Sequence, residues 1–384
     1  MQGDDGLTSV RRRQQLDNSA EQSASSKTPK DGLATKRSSD EAISRIVSDY
    51  STAYTMAFGL PAMMLTALLF HVFVIVFRAN DEPTSVVRWS LAILFPAILA
   101  LHGFRRKSLS ISGAVAGFVV GFIMTMGSYG FATSMFAFFI LGSSATKVRA
   151  EVKRKIEADY MEGGQRTWIQ VLCNGGPAVT FALFSIIENG CGEKPLDFSQ
   201  FYHATFNALG VLGCLSCACG DTLASELGAV FSKNEPRLIT TLQRVPRGTN
   251  GGVSKVGLWA SFLGGIFIGI VFYVMTLLFA WDYIVLHESQ QWPVILIAGF
   301  SGLLGSLIDS LLGALFQFSG LDKERRIVNT PGPGITKICG RELLDNHAVN
   351  LISCALTSLI CPNIGLAVYQ ALHQLSPITN LETC

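Results

Sequence analysis

Apolar residues occupy this chain in runs long enough to cross a bilayer, with polar stretches between them. Uninterrupted runs of about 18 residues or more, the length that spans a hydrocarbon core, fall at 53–78, 169–187, 256–281, 293–318 and 347–371. Weaker runs lie at 87–103, 109–126, 129–145 and 201–219. The pattern predicts an all-α fold: a polytopic integral membrane bundle of about nine transmembrane helices within residues 50–384. Composition agrees, since 49% of the residues are hydrophobic and only 15% charged, against about 25% charged in soluble domains.

Residues 1–49 break the pattern. Ser, Gln, Asp, Lys and Arg dominate there, and no aromatic residue precedes Tyr50. Such a stretch buries too little apolar surface to offset its chain entropy, which predicts a disordered tail. Arg11, Arg12 and Arg13 precede polar residues rather than an apolar run, so this is not the pattern of a signal peptide, and Asp4 and Asp5 disfavour an organellar transit peptide.

Basic residues are distributed very unevenly between the runs. Of the 30 Lys and Arg, 27 fall in the tail and in alternate loops, and 3 in the remaining loops. The positive-inside rule then places the N-terminus and the motif loops, at about 146–168, 220–255 and 319–346, in the cytosol. The C-terminus falls on the far side. The net charge of +2 gives no footprint for nucleic acid. Cys214, Cys217 and Cys219 have no second Cys or His cluster at metal-ligand spacing and read as helix-packing residues.

Several polar residues interrupt the apolar runs. Asp221 and Glu226, in GDTLASELG, lie just inside or at the end of the sixth run. Five helical residues rotate them about 140° apart, so they share a depth but not a face. Asp309 sits within the eighth run, where a carboxylate costs several kcal/mol and marks a functional site by default. Around it, Gly302, Gly305, Ser306, Ser310 and Gly313 recur at the spacing that lets helices approach closely. Ser225 and Thr222 add hydroxyl oxygens beside the first pair, and oxygen is the ligand Mg2+ prefers.

Downstream, RVPRGTNGGVSKVG surrounds Gly248, Thr249, Gly251 and Gly252 with Arg244, Arg247 and Lys255. Exposed backbone amides and cations are what a polyphosphate needs. The loop after the fourth run carries Lys147, Arg149, Lys153 and Arg166, suited to lipid headgroups. Asn174 at the next membrane edge, and Asp345, Asn346 and Asn350 at the mouth of the last run, are further candidates. Asp345 is also placed to cap that helix. Carboxylates, cations and a Gly-rich loop on one face suit phosphoryl transfer from a nucleotide to a lipid, which depends on positioning and charge neutralisation.

Six motifs carry a family resemblance: KSLSISGAVAGFVVG, TKVRAEVKRKIE, GGQRTWIQVLCNGG, GDTLASELG, RVPRGTNGGVS and LDNHAVNLIS. Together they resemble the transmembrane protein 19 family, which includes the chloroplast phytyl-phosphate kinases, over about residues 50–375. The fourth and fifth are also similar, more distantly, to segments of the CTP-dependent dolichol and phytol kinases. Gly220, Asp221, Ala224, Ser225 and Gly228 match the first of those segments, and Asn250 stands where those enzymes carry a glutamate.

The resemblance implies a membrane kinase that passes phosphate from CTP or ATP to a prenyl monophosphate in the bilayer. On that reading Asp221, Glu226 and Asp309 are the catalytic carboxylates and hold Mg2+. Ser225, Arg244, Arg247 and the Gly248 to Gly252 loop hold the nucleotide, and Lys147, Arg149 and Lys153 the lipid phosphate. The tail, lacking a transit peptide, points to the endoplasmic reticulum or another endomembrane. The competing readings are a multi-pass lipid or small-molecule transporter, with Asp309 at its midplane site, and an inactive membrane scaffold of the same fold.

Overall fold

The computed structural model describes residues 65–70, 72, 84–148 and 165–375. The expected tail, most of the first apolar run, and the basic stretch bearing Arg149 and Lys153 lie outside them. Residues 65–70 are helical. The other eight runs each coincide with a helix.

Helix α1 (Val86–Arg105) is followed by α2 (Ile111–Gly127), α3 (Tyr129–Lys147), α4 (Trp168–Asn189) and α5 (Tyr202–Phe231). A two-stranded antiparallel ribbon, β1 (Arg237–Leu238) with β2 (Gly252–Val253), precedes α6 (Lys255–Phe279), the short α7 (Trp281–Leu286) and α8 (Pro293–Phe316). Strands β3 (Ser319–Leu321), β4 (Ile327–Val328) and β5 (Thr336–Cys339) form a sheet in the order β4-β3-β5, and α9 (Asn346–Leu375) ends the fold. Six of the described helices are long and apolar enough to cross a membrane, and α2 is a shorter apolar helix. Helix α3 misses that group because Gly, Ser and Thr dilute its apolar content. The protein is a mostly helical, multi-pass membrane protein.

Helix starts are set by local chemistry. The side-chain oxygens of Ser85, Ser110 and Ser254 accept from Arg88 N, Gly113 N and Gly257 N at 3.2, 3.1 and 3.0 Å, each satisfying a first-turn amide without a helical partner. Ser128 alone separates α2 from α3, accepting from Gly130 N at 3.0 Å. At α4, Thr167 N donates to Gln170 Oε1 at 3.0 Å.

Helix α5 is the hub. It packs against α3, α4, α6, α8 and α9, and its middle, from Leu209 to Cys219, is buried. Peripheral helices turn Trp259, Leu263, Leu278, Leu296 and Phe300 outward, the apolar outer surface that a lipid environment requires. Close packing at the hub depends on missing side chains. A Cβ on Gly220 of α5 would come within 2.7 Å of Gly302 O on α8 and 2.9 Å of Ser261 O on α6. Ser306 is buried at the same crossing.

One boundary differs from the sequence expectation. The sixth run was expected to end near residue 219, with Asp221 and Glu226 at the membrane edge, but α5 continues to Phe231. Asp221 therefore lies ten residues inside the helix end, about 15 Å at 1.5 Å per residue. The helix continues because both carboxylates face protein groups, as described next. The expected loop 220–255 thus begins only after Phe231, and the loop 319–346 is largely the three-stranded sheet.

Candidate active site in the bundle

Asp221 of α5 has Ser306 and Asp309 of α8 as polar neighbours. Asp309 Oδ2 accepts from Ser353 Oγ of α9 at 3.0 Å. Asn350, one turn before Ser353, places its side-chain amide 3.2 Å from the same Oδ2. That amide also lies 3.1 Å from Asn174 Oδ1 on α4. Four helices thus contribute one polar line: Asp221, Asp309, Asn350 and Asn174. Each of these residues is partly accessible rather than fully buried.

Glu226 departs from this line. Its negative charge acts on Arg166, on the side of α5 rotated away from Asp309, as the five-residue spacing requires. Among the described residues no group of three or more His, Cys, Asp and Glu is arranged to hold a metal ion, so the expected three-carboxylate cluster is not assembled. Asp221 and Asp309 do form an all-oxygen pair with Ser306, Ser353 and the asparagine amides beside them. Two carboxylates completed by substrate phosphates are a common Mg2+ site, and two like charges this close inside a bundle call for a cation. The donor set fits Mg2+ held by this pair.

Arg166 enters just before α4 and is pinned through its backbone: its N donates to Ser108 O at 3.0 Å and its O accepts from Ser110 N at 3.1 Å. The guanidinium donates to Ser143 Oγ at 3.3 Å and lies over the rings of Phe138 and Phe139 at 5.4 and 5.6 Å. Gly142 makes room for it, since a Cβ there would stand 2.8 Å from Arg166 Nη2. Burial lowers the pKa of this guanidinium, while the Glu226 charge opposes that shift. Lys147 joins the group, its Nζ donating to Ser108 Oγ at 3.4 Å. The sequence counted Arg166 only among loop charges; the signal that could have singled it out is its position in GGQRTW, two residues before a helix.

The Gly-rich loop differs from an open cradle. Thr249 N and Oγ1 both donate to Pro246 O, at 3.3 and 2.7 Å, and Gly252 N to Thr249 O at 2.9 Å. Asn250 N donates to Ser319 Oγ at 3.1 Å, and Asn250 Nδ2 to Phe318 O at 3.1 Å. Gly251 has φ of +78°, and a Cβ there would meet Ala314 Cβ and stand 2.6 Å from Ser310 O. The amides of Thr249 and Gly252 are thus spent inside the loop, Asn250 ties it to Phe318 and Ser319 just after α8, and Gly251 packs against the last turns of α8, next in sequence to Asp309. Arg244 is exposed and Arg247 half-buried, its Nη2 donating to Lys233 O at 3.3 Å, and Gly248 turns the chain with φ of +87°.

The remaining candidates separate clearly. Ser225 is exposed and its hydroxyl donates to Thr222 O at 3.1 Å. Asp345 caps α9, its Oδ1 accepting from Ala348 N at 2.8 Å. Asn346 begins α9, its carbonyl 3.0 Å from the Asn350 amide. Cys214, Cys217 and Cys354 are buried packing residues, the last two with sulfurs 3.8 Å apart.

The fold and this intramembrane polar line define a polytopic membrane protein with a built interior site. Residues 94–358 match the family described as integral membrane protein DUF92, and the chain belongs to that family. It is 40% identical to Protein PGR of Arabidopsis thaliana over 280 residues, 73% of this chain and 96% of that one. An uncharacterized membrane protein of Methanocaldococcus jannaschii, MJ0933, is 29% identical over 290 residues, 75% of this chain and 98% of its own. Protein VTE6, chloroplastic, of Arabidopsis thaliana is 28% identical over 254 residues, covering 66% of this chain and 64% of the relative. No solved structure matches. The motif-based resemblance is borne out at the level of the family.

Proposed function

We infer that this protein is a membrane phosphotransferase that moves phosphate from a nucleoside triphosphate, CTP or ATP, to a prenyl monophosphate, giving the diphosphate. The observation that carries the reading is the convergence of Asp221 and Asp309 with Asn350 and Asn174 inside the bundle, with Arg166 and Lys147 grouped around the turn at Ser108. The family resemblance in GDTLASELG and RGTNGGVS points the same way.

In the reaction an oxygen of the lipid phosphate forms a bond to the γ-phosphorus. The bond from that phosphorus to the β–γ bridging oxygen breaks, and the nucleoside diphosphate leaves with the electron pair. The acceptor is already anionic, so no strong general base is needed. Mg2+ on Asp221 and Asp309 would neutralise the nucleotide phosphates. Arg244 and Arg247 would contact their outer oxygens from the loop locked against α8, and Arg166 and Lys147 would position the acceptor. On this reading the nucleotide enters from the cytosol, with the N-terminus and the motif loops on that side of an endomembrane.

The test is transfer of radiolabelled γ-phosphate from CTP or ATP to farnesyl, geranylgeranyl and phytyl monophosphates by the purified full-length protein in detergent. Diphosphate should form with the wild type and fall at least about 100-fold in Asp221→Asn and Asp309→Asn, the scale of losing a major electrostatic contributor. No transfer to any of the three acceptors from folded protein would sink the reading and favour transport of the lipid.

A further inference from the structure

The loop that carries Arg244 and Arg247 sits on α8 where side chains are missing. A Cβ on Gly313 would stand 3.4 Å from Gly251 N and 3.6 Å from Asn250 Cβ. Gly313 follows Asp309 by four residues, which places it on the same face of the helix. The loop therefore meets α8 one turn, about 5.4 Å, from that carboxylate. Glycines let the two backbones approach closely, but they offer no side chain to hold the loop there.

Asn250 supplies the fastening. Its N donates to Ser319 Oγ at 3.1 Å, at the start of β3. Its Nδ2 donates to Phe318 O at 3.1 Å and to Asn329 Oδ1 at 3.2 Å, one residue past β4. Its carbonyl accepts from the Cys339 thiol at 3.6 Å, at the end of β5. One residue thus reaches all three strands. The sheet in turn is fixed to the end of α8: a Cβ on Gly340 would run into Gln317 O, and Leu343 N and Leu344 N donate to Phe316 O at 3.1 and 3.0 Å. Helix α9 begins directly afterwards, at Asn346, and bears Asn350 and Ser353, the partners of Asp309.

The side chain at position 250 has to bring donors, because Phe318 O and Asn329 Oδ1 both accept. A carboxylate brings only acceptors. With its N, its carbonyl and its Nδ2 all engaged inside the protein, Asn250 is placed to act through the loop rather than on a phosphate. We propose that Asn250 is a positioning residue of the candidate site: it keeps the loop of Arg244 and Arg247 in register with Asp309 on α8 and with the start of α9, and touches neither nucleotide nor metal. What the loop holds rests on the phosphotransferase reading; the tether does not.

The experiment compares full-length wild type, Asn250→Asp, Asn250→Glu and Asn329→Ala in detergent by two measurements. The first is the dissociation constant of a fluorescent CTP or ATP analogue in Mg2+. Asn250→Asp sets acceptor against acceptor and should weaken binding at least about tenfold, the scale of a buried polar group left unpaired, and Asn250→Glu at least as much. Asn329→Ala removes one of the bonds and should cost about threefold, with no further loss when added to Asn250→Ala, as expected of two residues acting through one contact. The second measurement needs no nucleotide: the rate of tryptic cleavage after Arg247, read by mass spectrometry at a temperature where the variants are folded. Cleavage should be at least about tenfold faster in Asn250→Asp, because a loop without its tether opens locally. If Asn250→Asp does not fold, Asn329→Ala carries both measurements in the same direction.

Tighter binding of the Mg2+-nucleotide by either acidic variant would mean that position 250 faces the metal, and would overturn the proposal. Unchanged cleavage would overturn the tether, and faster cleavage with unchanged nucleotide affinity would overturn the positioning role. If no nucleotide binds even the wild type, the kinase reading fails, while faster cleavage in Asn250→Asp would still establish the tether. Nucleotide binding by the wild type with unchanged cleavage in the variant would do the reverse.

Discussion

Two arginines lie against the bundle near opposite ends of the helices, and they are used differently. Arg88, in the first turn of α1, donates to Glu193 Oε1 at 2.9 Å and to the carbonyls of Thr125 and Met126 at 3.1 and 3.5 Å. Its guanidinium also stacks on Tyr129 at 4.1 Å. Glu193 in turn accepts from Tyr129 N at 3.0 Å. That arginine is consumed in joining α1, α2 and α3. Arg166, near the other end, has one side-chain hydrogen bond among the described residues, to Ser143, and borders a cavity. A buried cation tied to a carboxylate and two carbonyls holds a fold together; one fixed by its backbone at the edge of a cavity, with one side-chain hydrogen bond, keeps donors for an anion.

The strongest way to break this comparison is to remove each side chain and measure stability. Arg88→Ala leaves Glu193, 9% exposed, buried without its cation, a loss of about 3–5 kcal/mol. The expected result is a large fall in melting temperature in detergent, with farnesyl monophosphate binding by the folded fraction unchanged within twofold. Arg166→Ala loses one hydrogen bond, worth about 1 kcal/mol, and the cation that faces Glu226; it should still melt above Arg88→Ala, while binding collapses. If the two variants melt alike, the division into a fastening arginine and a binding arginine fails.

The next effect concerns the helix crossing that joins the two ends. In Gly220→Ala the new methyl meets Gly302 O and Ser261 O at 2.7 and 2.9 Å, and both are backbone atoms that cannot swing away. Overpacking of this kind costs about 1–3 kcal/mol. Because the strain separates α5 from α8 next to Asp221, phosphate transfer should fall at least tenfold even at temperatures where the variant remains folded. A variant with wild-type transfer would show that the spacing of Asp221 and Asp309 does not matter.

Much of this arrangement was legible in the sequence, for a physical reason: a bilayer imposes one length on every spanning helix, so apolar runs locate them. Eight runs became helices with ends shifted by a few residues, apart from α5. Asp221 and Glu226 lowered the apolar signal there, but Asp221 faces Ser306 of α8 and Glu226 faces the charge of Arg166, which no hydropathy window detects. Asp309 stood out because nothing else in its run carries charge. The partners of Asp309, Ser353 and Asn350, come from 44 and 41 residues away, so their convergence is a property of packing rather than of spacing. Similarly, RGTNGG reads as an open phosphate loop until Ser319 and Phe318 are seen to take up Asn250.

The smallest expected effect sharpens the contrast from the Arg88 end. Asp197 follows Glu193 in the loop before α5; burial pushes its pKa up, but hydrogen bonds from Ser199, Gln200 and Tyr283 outweigh that and leave it lowered. A carboxyl group with a lowered folded-state pKa stabilises the fold above its unfolded value, about 3.9, and loses that contribution as pH falls through the lower folded value. Melting temperature should therefore decline below about pH 4, less steeply in Asp197→Asn, whose side chain does not titrate. The network bonded to Asp197 holds the loop to Tyr283 at 3.2 Å and contains none of the site residues. Farnesyl monophosphate binding at pH 7 should consequently be the same in Asp197→Asn and wild type. A loss of binding in that variant would mean that the Arg88 end sets the geometry of the Arg166 end, and the two could no longer be treated as separate devices.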